Sequence, residues 1–589
     1  MRQFFKFMFA SMLGFFLTFI IIFFFMIMML ASLATFSKKD DVVVRPQSVL
    51  KIKLDFEVPD RTSANPFENI NFMSPGGSRA LGLNEILRAI DKAKHDDRIE
   101  GIFLDLHPSS AGIATIEEIR DALIDFRESG KFIVSYGEII TQKDYYLASV
   151  SDAIYIMPEG IMLFQGLSAQ LMFFKGTLDK LDIEPQVIRY GKFKSAVEPF
   201  TEEKMSQENK EQMLRYINST WTQFTHGISQ ERGLSTDQLN LIADSLLIRS
   251  SIDALKHNMV DGVIFYDQFI DKLKERMDLA EKDNVSLISL QRYNNAADTR
   301  KSTRTRDRIA IVYASGEIYP GSGSERSIYS DNISKAIRTA REDTTVKAVV
   351  FRINSPGGSA LASEAILREA YLTREEKPFI VSFGNLAASG GYYIACAADR
   401  IVSSPSTITG SIGVFGIIPN AQKFFENKLG ITFDVVKTNA QSDFGNLARA
   451  LTPQERAILQ AQVEQVYKTF ANHVAEARNM TFEEVDAIGQ GRIWTGTDAL
   501  EIGLVDELGG LNTAVKLAAE LAEIEDYRIL ELPHRKDFFT QLIEDMSGGI
   551  SQTFLRRNLG QNYAFFEFLN KMDGKDKVQA RLPFDVIVE

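Results

Sequence analysis

Ser411 stands in Thr409-Gly410-Ser411-Ile412-Gly413, a small hydroxyl between two glycines in an otherwise apolar run. A serine attacks a carbonyl only when a neighbouring base takes its proton, and no histidine lies near it in the chain. The candidate base is a lysine. "KFKSAVEPF" puts Lys192 and Lys194 just after the strand-like "EPQVIRYG". Ser-Lys pairs are an alternative to Ser-His pairs, provided the amine is neutral. At a pKa of ~10.4 a free lysine is neutral in about one part in a thousand at neutral pH. Lowering that pKa by about three units takes roughly 4 kcal/mol of desolvation. Phe193, Ala196, Val197 and Phe200 are the apolar neighbours available for it. Spacing alone leaves both lysines open. The remaining requirement is a set of donors for a developing oxyanion. "INSPGGSALASEAI" carries Pro356-Gly357-Gly358 from a strand end into a helix, where backbone N–H groups are left free.

The chain provides an internal control, because it is written twice. A fixed shift of 247 carries "VSYGEIITQKDYYLASVSDAIYIMPEGIMLFQG", from Val134, onto "VSFGNLAASGGYYIACAADRIVSSPSTITGSIG", from Val381, without a gap. In that register Phe164 faces Ser411 and Leu163 faces Gly410, while Gly166 faces Gly413. With Arg189 opposite Lys437, Ser442 faces Lys194. The first copy reads "LHPSSAGIATIEEI" where the second has its Gly-Gly turn. A residue kept only for structure should look alike in both copies. Here the serine belongs to one copy and the lysine to the other.

The elements that must position these residues read as α/β layers. "RIAIVYASG", "KAVVFRIN", "FIVSFG", "DRIVSSP" and "FDVVKT" are short β-branched runs, some buried on both faces. Between them lie helical patterns such as "TPQERAILQAQVEQVYKTFANHVAEARN", with Thr452 as N-cap three positions before Glu455. Alternation of this kind implies a largely parallel sheet in each copy. We divide the chain into an anchor at 7–36, a first repeat at 48–285, a polar linker at 294–308, a second repeat at 309–524 and an extension at 525–589.

The anchor follows from length. Phe7 to Phe36 carries no charge, and about 20 such residues cross the hydrocarbon core as a helix. Arg2 and Lys6 precede it, a weak bias towards an inside N-terminus. The rest of the chain is then placed on the outer side. A leader cleaved after Ser32-Leu33-Ala34 is the alternative. The net charge of −12 argues against a nucleic-acid partner, which needs surplus Lys and Arg. Cys396 is the single cysteine, and the six histidines are scattered, so neither an internal disulfide nor a metal cluster is expected.

On "NSPGGSALASE", "NLAASGGYYIACAADRIVSSPSTITGSIGVFG", "GKFKSAVEPFTEEKM" and "GRIWTGTDALEIGLVDELGG" the chain resembles the long, duplicated type of the signal peptide peptidase A family, peptidase family S49. The resemblance implies two tandem ClpP/crotonase-like α/β domains behind one transmembrane helix. It implies a serine protease with Ser411 as nucleophile, Lys194 as general base and an oxyanion hole at Gly357 and Gly358. It further implies no cofactor, a homotetramer, and a place in the bacterial inner membrane with the catalytic domains on the periplasmic side. The implied substrates are hydrophobic signal peptides left after release from secreted proteins. Three other readings compete. A crotonase-like acyl-CoA hydratase or thioesterase shares the fold, His107 in "LDLHP" offers a histidine base, and a non-catalytic membrane scaffold needs no base.

Overall fold

The computed structural model describes residues 2–36, 42–62, 81–300, 305–535 and 579–581. The chain opens with helix Arg2–Phe36. Its stretch Lys6–Phe25 is, among the described residues, the one helix long and apolar enough to cross a membrane. Twenty residues at 1.5 Å each span about 30 Å, the thickness of the hydrocarbon core.

Each repeat folds around a parallel sheet, because strand and helix alternate and amphipathic helices such as Leu83–Lys94 and Leu511–Leu521 bury one face. In the first repeat the strand order is Gly262–Val263, Ala153–Met162, Phe132–Ile140, Ile99–Leu106, Ser48–Ile52 and Ser286–Ser289. All of these pairings are parallel. In the second repeat Phe379–Ala388, Val346–Ser355, Arg308–Ser315 and Arg528–Leu532 run side by side in the same sense. The edge strands Ser286–Ser289 and Arg528–Leu532 lie just past positions 285 and 524. Each sheet therefore takes in a few residues beyond the repeat drawn from the pattern. Asn294 and Asn295 likewise finish helix Leu290–Asn295 and Arg308 opens a strand, so both ends of the 294–308 stretch belong to regular elements.

Thr452 caps helix Pro453–Arg478 through the expected capping box with Glu455. The strand expected at "FDVVKT" does not form. Residues 431–440 have no regular structure and lie exposed, whereas the first-repeat counterpart, Glu184–Tyr190, is a strand. A strand needs an edge to pair with, and no described strand of the chain pairs with 432–438.

A third sheet joins the repeats. Its order is Ile328–Tyr329, Ile318–Tyr319, Gly357–Ser359, Gln579–Arg581, Val414–Asn420 and Glu184–Tyr190. A buried ionic knot fixes the repeats further. The fully buried Arg352 donates from Nε to Asp60 Oδ1 at 2.7 Å and from Nη2 to Glu118 Oε1 at 2.5 Å. Its third nitrogen, Nη1, donates to Ser382 Oγ at 2.9 Å and Phe383 O at 2.7 Å. A buried guanidinium tolerates such a position only because its donors meet these acceptors.

Candidate active site

Lys194 arrives at the end of a first-repeat strand. Glu184–Tyr190 pairs antiparallel with Val414–Asn420, with Tyr190 opposite Val414. Four residues past Tyr190 the chain reaches Lys194, and one residue before Ile412 the other strand's approach leaves Ser411. The pairing register thus brings together two residues 217 positions apart. Lys194 Nζ lies 3.0 Å from Ser411 Oγ.

Both side chains are fully buried. Burial alone holds the Lys194 amine well below its ordinary pKa, with no nearby carboxylate opposing the shift. Two of the four expected apolar neighbours take part in excluding water, and Phe415 joins them. Ala196 and Val197 pack with Phe415, whose ring centroid is 5.9 Å from Nζ. Phe193, in contrast, lies under the Arg492 guanidinium, and Phe200 stacks on Phe174. Two glycines close the channel around the lysine stem. A Cβ on Gly491 would sit 2.6 Å from Lys194 Cα, and one on Gly413 would sit 3.2 Å from Lys194 Cδ. Lys192 is exposed, so the structure separates the two candidate lysines.

Nζ has three polar neighbours. Besides Ser411 Oγ they are Ser389 Oγ at 2.8 Å and the Ser411 carbonyl at 3.2 Å. A neutral amine has two N–H groups and one lone pair. If the N–H groups go to Ser389 Oγ and Ser411 O, the lone pair is left facing the Ser411 hydroxyl. The same contacts around an ammonium would leave no acceptor for that proton. Sequence reasoning missed Ser389. It ends strand Phe379–Ala388 at φ 56°, a left-handed conformation uncommon for a residue with a side chain. Its N–H donates to Gly410 O at 2.8 Å, which ties it to the turn carrying Ser411. Its only sequence signal is "AASGG", a hydroxyl where the first copy has Gln142 in "ITQKD".

Ser411 is also left-handed, at φ 50°, and its N–H donates to Arg492 O at 2.7 Å. This tight turn between strands Ile408–Gly410 and Val414–Asn420 aims Oγ at the lysine rather than into either sheet. Gln212 was missed as well. From first-repeat helix Gln207–Arg232 it donates to Ser195 Oγ at 2.8 Å and accepts from Ile493 N at 3.2 Å. It therefore clamps the lysine loop to the second repeat.

Gly357 and Gly358 are set apart from this cluster by one strand. Gly357 and Gly358 pair with Arg581 and Ala580, and Phe415 pairs with Gln579, both antiparallel. Between the glycine strand and the strand after Ser411 there is thus a slot one strand wide, held here by Gln579–Arg581. Gly357 has φ 101° and its N–H donates to Ser355 Oγ at 3.1 Å. A Cβ on Gly358 would meet Ile318 O at 2.2 Å, so the close approach of that strand excludes any side chain.

The first copy lacks all of this. Phe164, opposite Ser411, is buried with its ring 6.0 Å from Tyr145 and 5.3 Å from Trp221. Ser442, opposite Lys194, is an exposed turn residue donating to Asn439 O. His107 Nε2 lies 3.3 Å from Asp105 Oδ1 at a half-exposed strand end of the first repeat. Cys396 is a core residue whose thiol burial pushes up to about 12. Among the described residues no cluster of His, Cys, Asp and Glu could hold a metal ion.

Comparison with known proteins agrees with the duplication. The pattern of Peptidase family S49 matches twice, over residues 125–280 and 372–525. "Protease 4" of Salmonella typhi is 36% identical over 477 residues, covering 80% of this chain and 76% of that protein. "Serine protease SPPA, chloroplastic" of Arabidopsis thaliana is 32% identical over 547 residues, covering 92% and 78%. "Putative signal peptide peptidase SppA" of Enterococcus faecium is 35% identical over 201 residues, 34% of this chain and 58% of that protein. Among solved structures, ClpP1 from Listeria monocytogenes aligns over 35% of this chain and 94% of its own, at 18% identity and a TM-score of 0.23.

Proposed function

Since the chain belongs to peptidase family S49 and is a serine protease, we propose that it hydrolyses peptide bonds with Ser411 as nucleophile and Lys194 as general base. The observation that carries this reading is the 3.0 Å contact between Nζ and Oγ in a site where burial favours the neutral amine.

Lys194 takes the hydroxyl proton as Ser411 Oγ bonds to the scissile carbonyl carbon, and the carbonyl π pair moves onto oxygen. N–H groups at the Gly357-Gly358 turn stabilise that oxyanion. The Gly357 N–H already serves Ser355, so Gly358 is the better donor. Collapse of the tetrahedral species breaks the C–N bond, and the lysine ammonium protonates the leaving amine. Water then attacks the ester, giving its proton to Lys194. The serine departs reprotonated.

The substrate class is an extended peptide. A backbone strand lying between Gly357–Ser359 and Val414–Asn420 is read by main-chain pairing on both sides, as Gln579–Arg581 is. The anchor helix supports hydrophobic, membrane-resident peptides, signal peptides among them, met at the periplasmic face of the inner membrane. The Enterococcus faecium relative named for signal peptides favours the same class. The repeats carry separate duties: 48–285 supplies the base and 309–524 the nucleophile, with 525–589 as extension and a homotetramer as the assembly.

The test uses the full chain in detergent. A serine-directed fluorophosphonate is expected to label the parent, and Ser411→Ala and Lys194→Ala to lose both label and peptidase activity. Hydrolysis abolished by His107→Ala but not by Lys194→Ala would overturn the assignment of the base. Saturable binding of coenzyme A without peptide hydrolysis would favour the acyl-CoA alternative.

A further inference from the structure

One short loop clamps the Lys194–Ser411 pair. Between helix Phe482–Ile488 and strand Ile493–Thr495, backbone groups of residues 490–492 serve both of the segments that carry the two side chains. Gln490 O accepts from Phe193 N at 3.0 Å, and Gly491 N donates to Ile412 O at 2.6 Å. Arg492 O accepts from Ser411 N at 2.7 Å, and Gly491 O lies 3.3 Å from Ser411 Oγ. The loop also presses on the approach to the lysine, since a Cβ on Gly191 would meet Gln490 O at 2.4 Å. Any shift of these residues therefore moves base and nucleophile relative to one another and opens a way for water to the amine.

The loop does not keep that shape unaided. Gln490 has φ 52° and Gly491 φ 84°, left-handed residues in succession, and the Gln490 side chain disfavours the conformation. Tyr467, fully buried on helix Pro453–Arg478, accepts from Gln490 N at 3.3 Å and donates its hydroxyl to Asp486 Oδ1 at 2.5 Å. Gln490 Nε2 closes the circuit on Asp486 Oδ2 at 3.0 Å. Duplication again provides a control. The shift of 246 that carries the N-caps Ser206 and Ser235 onto Thr452 and Thr481 carries Trp221 onto Tyr467 and Asn240 onto Asp486. Trp221 Nε1 donates to Asn240 Oδ1 at 2.7 Å, so a link between these two helices exists in both copies. Its reach differs. An indole N–H only donates, whereas a phenol also accepts, and the second carboxylate oxygen of Asp486 accepts where the amide nitrogen of Asn240 donates. Only the copy that owns Ser411 can extend the link to its loop.

We propose that Tyr467 and Asp486 are positioning residues for peptide hydrolysis: they lock Gln490 so that residues 490–492 hold the Lys194 amine on the Ser411 hydroxyl and keep water out. This rests on the reading of Ser411 as nucleophile and Lys194 as base. Both residues act through the loop, Tyr467 on its backbone and Asp486 on the Gln490 side chain. Losing either lets the loop relax, lengthens the contact between Nζ and Oγ, and admits water that stabilises the ammonium form. Fewer molecules then hold the free base at neutral pH. A link that merely packed helix on helix would change stability alone, as its counterpart in the first repeat should.

The test measures kcat, KM and their pH dependence for the full chain in detergent with a hydrophobic peptide. Tyr467→Phe keeps the ring and is expected to lower kcat about tenfold with KM unchanged, the scale of one buried hydrogen bond. It should also move the acidic limb of the profile to higher pH, because a wetter lysine ionises more readily. Asp486→Ala, a change at a half-buried position, is expected to act in the same direction. Trp221→Phe breaks the counterpart link and should lower Tm while leaving kcat and the limb in place. An unmoved limb in both second-repeat variants, or an equal loss of kcat in Trp221→Phe, would overturn the proposal. Fluorophosphonate labelling separates it from the reading beneath it. Label lost in Lys194→Ala while Tyr467→Phe and Asp486→Ala behave as the parent overturns the positioning role alone; hydrolysis retained in Lys194→Ala removes the base and this inference with it.

Discussion

Replacing Lys194 with methionine separates the cost of burying the amine from its use. In the parent, folding takes Lys194 out of water and holds its pKa below that of the unfolded chain. Between that lowered pKa and ~10.4 the unfolded state binds one more proton than the folded state, so the parent gains stability as pH rises. The slope for one proton is about 1.4 kcal/mol per pH unit. Methionine carries no proton and has no such slope. The variant's advantage is therefore greatest at and below the lowered pKa and shrinks as pH rises from there towards ~10. Lost hydrogen bonds subtract a constant of about 1 kcal/mol each. That constant stays small because neither serine is stranded: Ser389 Oγ keeps Gly413 O at 3.4 Å and Ser411 Oγ keeps Gly491 O at 3.3 Å. Thermal unfolding in detergent, followed by circular dichroism at several values between pH 7 and 10, reads the difference. For a repeat of this size 1 kcal/mol moves Tm by about 2–4 °C, so the gap between variant and parent should close by roughly 3–6 °C per pH unit within the window. Peptidase activity should vanish at every pH. A gap independent of pH would mean that Lys194 is charged in the folded protein, and the proton-transfer scheme would fall with it.

Ser389→Ala removes the acceptor that turns the Lys194 lone pair towards Ser411. We expect kcat to fall about tenfold, the worth of one buried hydrogen bond, and the acidic limb of the pH–rate profile to move; an unmoved limb would reduce Ser389 to a packing role. Arg352→Met leaves Asp60 and Glu118 buried without their cation and should destabilise the protein by about 3–5 kcal/mol, read as a lower Tm. A Tm within a degree or two of the parent would show that the knot contributes little. A chain ending before Gln579 opens the slot between Gly357–Ser359 and Val414–Asn420, so KM for an extended hydrophobic peptide should fall with kcat unchanged. An unaltered KM would mean that residues 579–581 do not compete with substrate.

The duplication, the α/β layering, the apolar N-terminal helix and the capping of helix Pro453–Arg478 were legible because each is a local pattern or a repeat of one. Comparing the copies also singled out Ser411 and Lys194, since each is present in one copy and replaced in the other. Their meeting was not legible. It depends on the antiparallel register of Glu184–Tyr190 on Val414–Asn420, a pairing between residues more than two hundred positions apart. The same limit explains the misread strand at 433–438. Its β-branched composition is that of a strand, but pairing is a property of an available edge, and its counterpart takes the edge that the chain provides. Gln212 and Gly491 had no pattern to announce them, and the copy-specific hydroxyl of Ser389 was a signal of the same kind as that of Ser411 that went unread. Sequence determined which groups the molecule owns and how its elements repeat; only the folded chain decided which amine loses its water and which hydroxyl it faces, because desolvation and hydrogen-bond geometry arise from side chains that no spacing brings together.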